Sequence, residues 1–333
     1  METRLAEPIK KPSALRWLGY MLAGIIALVL LLAAIGAIYE AIAESREVNE
    51  PPPGRLADLA DHKMHLYCTG QGVPTVILES GLWNDSSVWY KVQPEIAKST
   101  RVCSYDRAGL GYSDLRPRQE ADSRNIAQNL HTLLANAGVN PPYVLVGHSL
   151  GGFHVRVYQN LYPSEVAGMV LVDSGYPDQE RRLPSEMNKI QSRMYLKSKL
   201  WGLAVPLGLP RLTGACGVTV ECNWQTVKAR NAEVNGINDS GEEARHCGPL
   251  GSMPLVVVSH DPERGPAPGL ISPETSRRFG EQWTQMQDEL ARLSANSSHV
   301  IATGRTHYVQ IDRPDLVIAA IRRVLDAAQP NSK

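Results

Sequence analysis

From Leu18 to Tyr39 the chain runs LGYMLAGIIALVLLLAAIGAIY without a single charge, close to the ~20 apolar residues that cross a bilayer's hydrocarbon. That pattern predicts a transmembrane helix. Past Gly54 the apolar runs become short. Arg55 to Leu59 and Lys63 to Cys68 alternate on either side of Asp61-His62, which predicts an antiparallel hairpin. Thr75–Glu79, Arg101–Ser104, Val144–Val146, Ala167–Val172, Leu255–Val258 and His299–Ala302 are buried-type runs that predict strands covered on both faces. Between them lie helix signals. Ser123 is an N-cap candidate, and Ile126, Leu130, Leu133 and Leu134 recur at helical spacing up to Gly138. Phe153 to Tyr162 forms helix, and another helix opens near Pro314. Strands alternating with helices imply a mostly parallel sheet with helices on both faces, whose ligands sit beyond the strands' carboxyl ends.

The same pattern divides the chain. Residues 1–17 precede the apolar segment 18–39, 40–53 form a linker stiffened by Pro51-Pro52-Pro53, and 54–174 with 254–328 make an α/β core. Residues 175–253 are an insertion and 329–333 a tail. Arg4, Lys10, Lys11 and Arg16 stand before the apolar run, whereas Glu40, Glu44, Glu47 and Glu50 with a single Arg46 follow it. A cytoplasmic N-terminus and an extracytoplasmic core are therefore expected. Cleavage after Ala41-Ile42-Ala43 and secretion is the competing account, although the run exceeds the ~7–15 residues of a signal peptide's apolar region.

The candidate chemistry centres on Gly147-His148-Ser149-Leu150-Gly151, where a strand meets a helix. This is the G-x-S-x-G nucleophile elbow: glycines relieve the crowding of the turn, and the helix start offers N–H groups where an oxyanion forms. With its strand, its helix and downstream acid and base candidates, the chain resembles the α/β-hydrolase fold serine hydrolases of the esterase and lipase type over residues 54 to 328. The resemblance implies an eight-stranded, mostly parallel sheet, a helical lid formed by the insertion, and a Ser-His-acid triad.

Nine histidines compete for the role of base. His307 is chosen because Gly304-Arg305-Thr306-His307 follows a strand and the family places its histidine last. His148 is expected to be a packed, hydrogen-bonded neighbour. Asp261, after the strand Leu255–His260, is the expected acid, with Asp173 at the end of the preceding strand as the alternative; Asp261-Pro262 also suits an ordinary turn. His260 has no assignable role. By resemblance, the amides of Leu82 and Leu150 form the oxyanion hole, with Ser80 where family members usually carry His. Asp106 and Arg107 are read as structural. The spacing of His62 and His65 indicates no metal site.

The 34 basic and 34 acidic residues balance, which argues against a nucleic-acid surface. No cofactor is implied. Five cysteines in an extracytoplasmic domain allow disulfides, and family topology would pair Cys68 with Cys103, leaving Cys216, Cys222 and Cys247 in the insertion. The apolar run Trp201 to Leu209 is expected to line an acyl pocket, lean on the membrane or bury itself on the core. The expected partners are a small acyl or ester substrate and the membrane. The expected activity is carboxylic ester hydrolysis through an acyl-enzyme. A binding protein without turnover is the alternative, and peptidase, haloperoxidase-like and carbon–carbon bond hydrolase chemistry remain open within enzymes. Epoxide hydrolases and haloalkane dehalogenases need aspartate where this chain has Ser149.

Overall fold

The computed structural model describes residues 14–47, 52–116, 118, 120–213, 223–263, 271–304 and 306–328. Arg4, Lys10, Lys11, Glu50, Pro51, Cys216, Cys222 and the tail fall outside them. Helix α1, Ala14–Glu47, runs beyond both ends of the apolar segment. Nothing in Glu40-Ala41-Ile42-Ala43-Glu44-Ser45-Arg46-Glu47 breaks a helix, so the first part of the expected linker is helical.

The sheet has eight strands: β1 (Arg55–Asp58), β2 (Lys63–Thr69), β3 (Thr75–Glu79), β4 (Val102–Tyr105), β5 (Tyr143–His148), β6 (Val166–Val172), β7 (Leu255–His260) and β8 (Ser297–Ala302). They are ordered β1-β2-β4-β3-β5-β6-β7-β8. The hairpin β1–β2 pairs antiparallel and β2 joins β4 antiparallel, while every pair from β4 to β8 is parallel. The continuous apolar strands split their side chains between two cores, as period-two alternation requires. Ile77, Leu145, Leu171 and Val257 face one layer, and Leu78, Val146, Val172 and Val258 the other.

Helices α2 (Ser123–Asn136) and α3 (Gly151–Leu161) cover the first layer through Leu130, Leu133, Leu134, Val155 and Tyr158. The insertion supplies α4 (Ser185–Ala204) and α5 (Trp224–Arg245). Helix α6 (Pro273–Ala291) follows β7, and α7 (Pro314–Ala328) covers the second layer with Val317, Ile321 and Val324. Each such aliphatic side chain contributes about 1.5–3 kcal/mol on burial. Cys68 and Cys103 face one another across the β2–β4 pair and are joined by a disulfide; Cys247 is a free thiol.

Three loops leave the carboxyl ends of neighbouring strands β3, β5 and β6, and that shared edge is where the candidate groups collect.

Candidate active site

Strand β5 ends at His148, and Ser149 then takes φ 54°, turning the chain into α3. The turn is tight. A Cβ on Gly147 would stand 2.6 Å from the Gly151 carbonyl oxygen, and one on Gly151 would stand 2.7 Å from the Ser80 carbonyl oxygen. Ser149 N–H donates to Val172 O of β6 at 3.0 Å, which fixes the elbow to the next strand. His148 is buried, and Nε2 donates to the backbone oxygen of His307 at 3.0 Å. Burial, then the neighbouring His307, push its pKa down to about 3, so it stays neutral. It is the packed neighbour expected of it.

Ser149 Oγ lies 2.9 Å from His307 Nε2, and His307 Nδ1 lies 2.5 Å from Asp173 Oδ2. A neutral His307 donating Nδ1–H to the carboxylate presents Nε2 as the acceptor for the serine hydroxyl. The carboxylate that His307 meets is that of Asp173, not of Asp261 as expected. Asp173 ends β6, the strand beside β5, and its φ of 44° turns the carboxylate into the site; Asp261 ends β7, one strand farther from Ser149. Asp261 instead accepts from the backbone N–H of Glu263 at 2.9 Å and of Gly304 at 2.5 Å. It therefore fastens the loop that carries His307.

Asp173 is fully buried and surrounded by donors: His260 N–H at 3.0 Å, His260 Nδ1 at 2.8 Å, Trp283 Nε1 at 2.8 Å and His307. Burial alone would raise its pKa. The charge of His260, then hydrogen bonds from both imidazoles, outweigh it and hold the carboxyl well below the usual range. His260, without a role in the sequence reading, is thus a second imidazole on the same acid. Its pKa is raised, because attraction and hydrogen bonding to Asp173 overcome the opposing effect of burial.

The loop expected to supply an oxyanion amide follows β3. Ser80, in the place where a histidine is usual, donates its hydroxyl to Asp85 O at 2.9 Å and accepts from Trp89 Nε1 at 3.2 Å, stapling the loop. A Cβ on Gly81, next to Leu82, would stand 3.1 Å from Ser149 Cβ, and among the described residues neither the Leu82 nor the Leu150 amide donates to a protein acceptor. Trp83 takes φ 66°, so among the described residues three of the four non-glycine residues with positive φ (Trp83, Ser149 and Asp173, against Ala60) lie in this site. Such backbone strain collects where the surroundings over-determine it.

Arg107 is what holds this loop. Its buried guanidinium pairs with Glu79 and Glu233 at 2.6 Å each and donates to the carbonyl oxygens of Ser80 and Gly81 at 2.8 Å and of Asn84 at 3.3 Å. Glu233 comes from α5 in the insertion and also accepts the Trp83 N–H at 2.8 Å. The structural reading of Arg107 thus extends to the loop bearing Leu82. Burial raises the pKa of Glu79 against the pull of Arg107, and Tyr105 donates its hydroxyl to the same carboxyl. Lysine cannot span these partners. We expect Arg107→Lys to lower kcat for ester hydrolysis about tenfold or more, approaching the ~10²–10³ of a lost oxyanion donor. Steady-state kinetics on protein shown by circular dichroism to be folded checks this.

Ligand atoms of Asp173, His260 and His307 lie within 4.8 Å of one another, a spacing that suits a metal ion. Both imidazoles direct Nδ1 at the Asp173 carboxylate, so a cation there would have to break that relay. His65 is bound to Asp106 at 2.8 Å, His62 to Asp61 at 2.6 Å and His154 to Ser123 at 2.8 Å.

The family described as alpha/beta hydrolase fold matches residues 74–205, the segment from β3 through the elbow to the end of α4. Uncharacterized protein YqjL of Bacillus subtilis is 25% identical over 264 residues, covering 78% of this chain and 86% of that one. A thermophilic esterase from Thermogutta terrifontis superposes with TM-score 0.59 at 19% identity, covering 84% of this chain and 100% of the other. The enol-lactonase from Burkholderia xenovorans LB400 gives 0.55 at 18%, covering 82% and 100%. With its strand order and its strand–elbow–helix turn, the chain has the α/β-hydrolase fold, preceded by one N-terminal apolar helix.

Proposed function

We propose that this protein is a membrane-anchored serine hydrolase that cleaves carboxylic esters or related acyl compounds through an acyl-enzyme. The observation carrying this reading is the continuous contact from Ser149 Oγ through His307 to the buried carboxyl group of Asp173. A serine hydroxyl is a poor nucleophile until a base receives its proton. Ser149 Oγ attacks the acyl carbon while its proton passes to His307 Nε2, and Asp173 stabilises the imidazolium. The amides of Leu82 and Leu150 hold the carbonyl oxygen as it becomes an anion. Collapse breaks the ester C–O bond, and His307 returns the proton to the departing alcohol. Water then attacks the acyl-enzyme by the same route and restores Ser149.

Four observations support the acyl class and the location. A cavity of about 270 Å³ lies beside Trp83, lined by Met194, Trp201 and Val227 with Lys197 and Arg230, and suits an apolar acyl or alkyl group. The Thermogutta terrifontis esterase and the enol-lactonase both act on esters by their names. Residues Arg16–Ile42 form 27 residues of helix long and apolar enough to anchor the chain, and the Cys68–Cys103 disulfide accords with a core on the oxidising side.

Incubation with a fluorophosphonate tests the reading. It should give one adduct, on the peptide containing Ser149, with parallel loss of p-nitrophenyl ester hydrolysis. No adduct and no hydrolysis across acetate to long-chain esters would transfer the site to binding without turnover.

A further inference from the structure

Helix α4 carries apolar residues on two opposite faces. One face turns inward: Gly202 and Val205 are buried, and Ser198 Oγ donates to Asn231 of α5 at 2.9 Å. The other bears Leu196, Leu200 and Leu203, continued by Leu207, spaced four, three and four residues apart and so on one helical face. Leu196, Leu200 and Leu203 are 58%, 57% and 72% exposed. A soluble helix does not leave such a stripe uncovered without a partner. Along α4, Lys189, Arg193, Lys197 and Lys199 stand against one acidic residue, Glu186. An apolar stripe edged by basic residues is the pattern of a helix lying in a lipid interface.

The position of the stripe fixes its partner. Its end touches α1: a Cβ on Gly36 would overlap the Leu207 carbonyl oxygen, and one on Gly208 would overlap the Gly36 carbonyl oxygen. Glu40 of α1, buried, pairs with Arg211 at 2.9 Å just beyond. Gly36 lies six residues before the end of the Arg16–Ile42 span, about 9 Å along the helix. A helix of that length measures about 40 Å against about 30 Å of hydrocarbon, so Gly36, and with it Leu207, sits a few ångströms inside the acyl boundary. Charge, apolar face and depth all coincide.

The geometry points to a phospholipid leaflet as the occupant of this face: α4 lies in the leaflet from which α1 emerges, and Leu196, Leu200, Leu203 and Leu207 enter its acyl boundary. The proposal rests on α1 spanning the membrane and is independent of the catalytic reading. The inner face of the same helix lines the cavity beside Trp83, so an ester partitioned in the bilayer lies about one helix diameter from that cavity, ~10 Å.

The test uses the full chain in nanodiscs of phosphatidylcholine with phosphatidylglycerol. An environment-sensitive fluorescent amino acid is placed singly at Leu203, at Ile26 in α1 or at the exposed Arg277 of α6, and quenching by doxyl-labelled lipid is read. Labels at Leu203 and Ile26 should lose about half their emission or more and the label at Arg277 almost none. In a Leu200→Glu background, quenching at Leu203 should fall to the Arg277 level while that at Ile26 persists. Quenching at Ile26 without quenching at Leu203, whether the latter label is solvated or covered by another protein chain, overturns the seating of α4. Quenching at Leu203 that survives Leu200→Glu also overturns the leucine stripe as its cause. An unquenched Ile26 overturns the anchor and this proposal with it.

Discussion

Ser149→Ala is expected to remove ester hydrolysis almost completely, lowering kcat by roughly 10⁴–10⁶. The size follows from what the hydroxyl alone supplies. The amides of Leu82 and Leu150 and the cavity beside Trp83 remain in the variant, so an ester can still bind and its carbonyl can still be polarised, but no bond to the enzyme forms. The substitution is small structurally. Ser149 Oγ bonds His307 Nε2 at 2.9 Å, and that imidazole is itself partly exposed. Losing this bond costs about 1 kcal/mol or less of stability. Thermal denaturation beside steady-state kinetics separates the two effects. Residual turnover within tenfold of the parent, in a variant that also keeps its fluorophosphonate label, would place the nucleophile elsewhere.

How much of this site was legible in the chain depended on how local each signal is. The elbow is written within five residues, and its glycines are demanded by contacts that the strand-to-helix turn itself creates. His307 follows from chain order. The acid did not, because Asp173 and Asp261 both end apolar strands, and choosing between them requires knowing which strand end lies nearer the imidazole. The partners of Asp173 were equally hidden: Trp283 lies 110 residues away in sequence and joins it only through the packing of α6.

Helix α5 shows the converse failure. Its buried positions include Thr226, Glu233, Gly236, Ser240 and Gly241, a small and polar inner face that gives no apolar period to read. Yet Glu233 from that face is what ties the insertion to Arg107 and the loop bearing Leu82, across 126 residues of sequence. The parallel strands, by contrast, are buried on both faces and announce themselves as continuous apolar runs.

Asp173→Asn and Asp261→Asn are expected to differ by orders of magnitude. In the first, an amide replaces a carboxylate that faces four donors, from His260 N–H, His260 Nδ1, Trp283 Nε1 and His307 Nδ1. Asparagine offers one oxygen, and its NH₂ opposes the imidazoles. His307 then favours the tautomer with its proton on Nε2, which cannot receive one from Ser149, and kcat should fall about 10⁴-fold. Removing one member of a buried ion pair should also cost about 3–5 kcal/mol, so the comparison requires conditions in which the variant is folded. Asp261→Asn keeps an acceptor for one of the two backbone N–H groups it serves. Its kcat should stay within about tenfold, and its stability should fall by about 1–3 kcal/mol for the N–H left unpaired.

The pH dependence separates the two variants further. Asp173 titrates below its unfolded value, so its contribution is complete above about pH 4 and is lost as pH falls toward the folded pKa. The stability gap between the parent and Asp173→Asn should therefore narrow under acid, in denaturant titrations run from neutral to pH 3. A larger loss of turnover in Asp261→Asn than in Asp173→Asn would return the acid to β7 and make the β6 contact a resting arrangement rather than the working one.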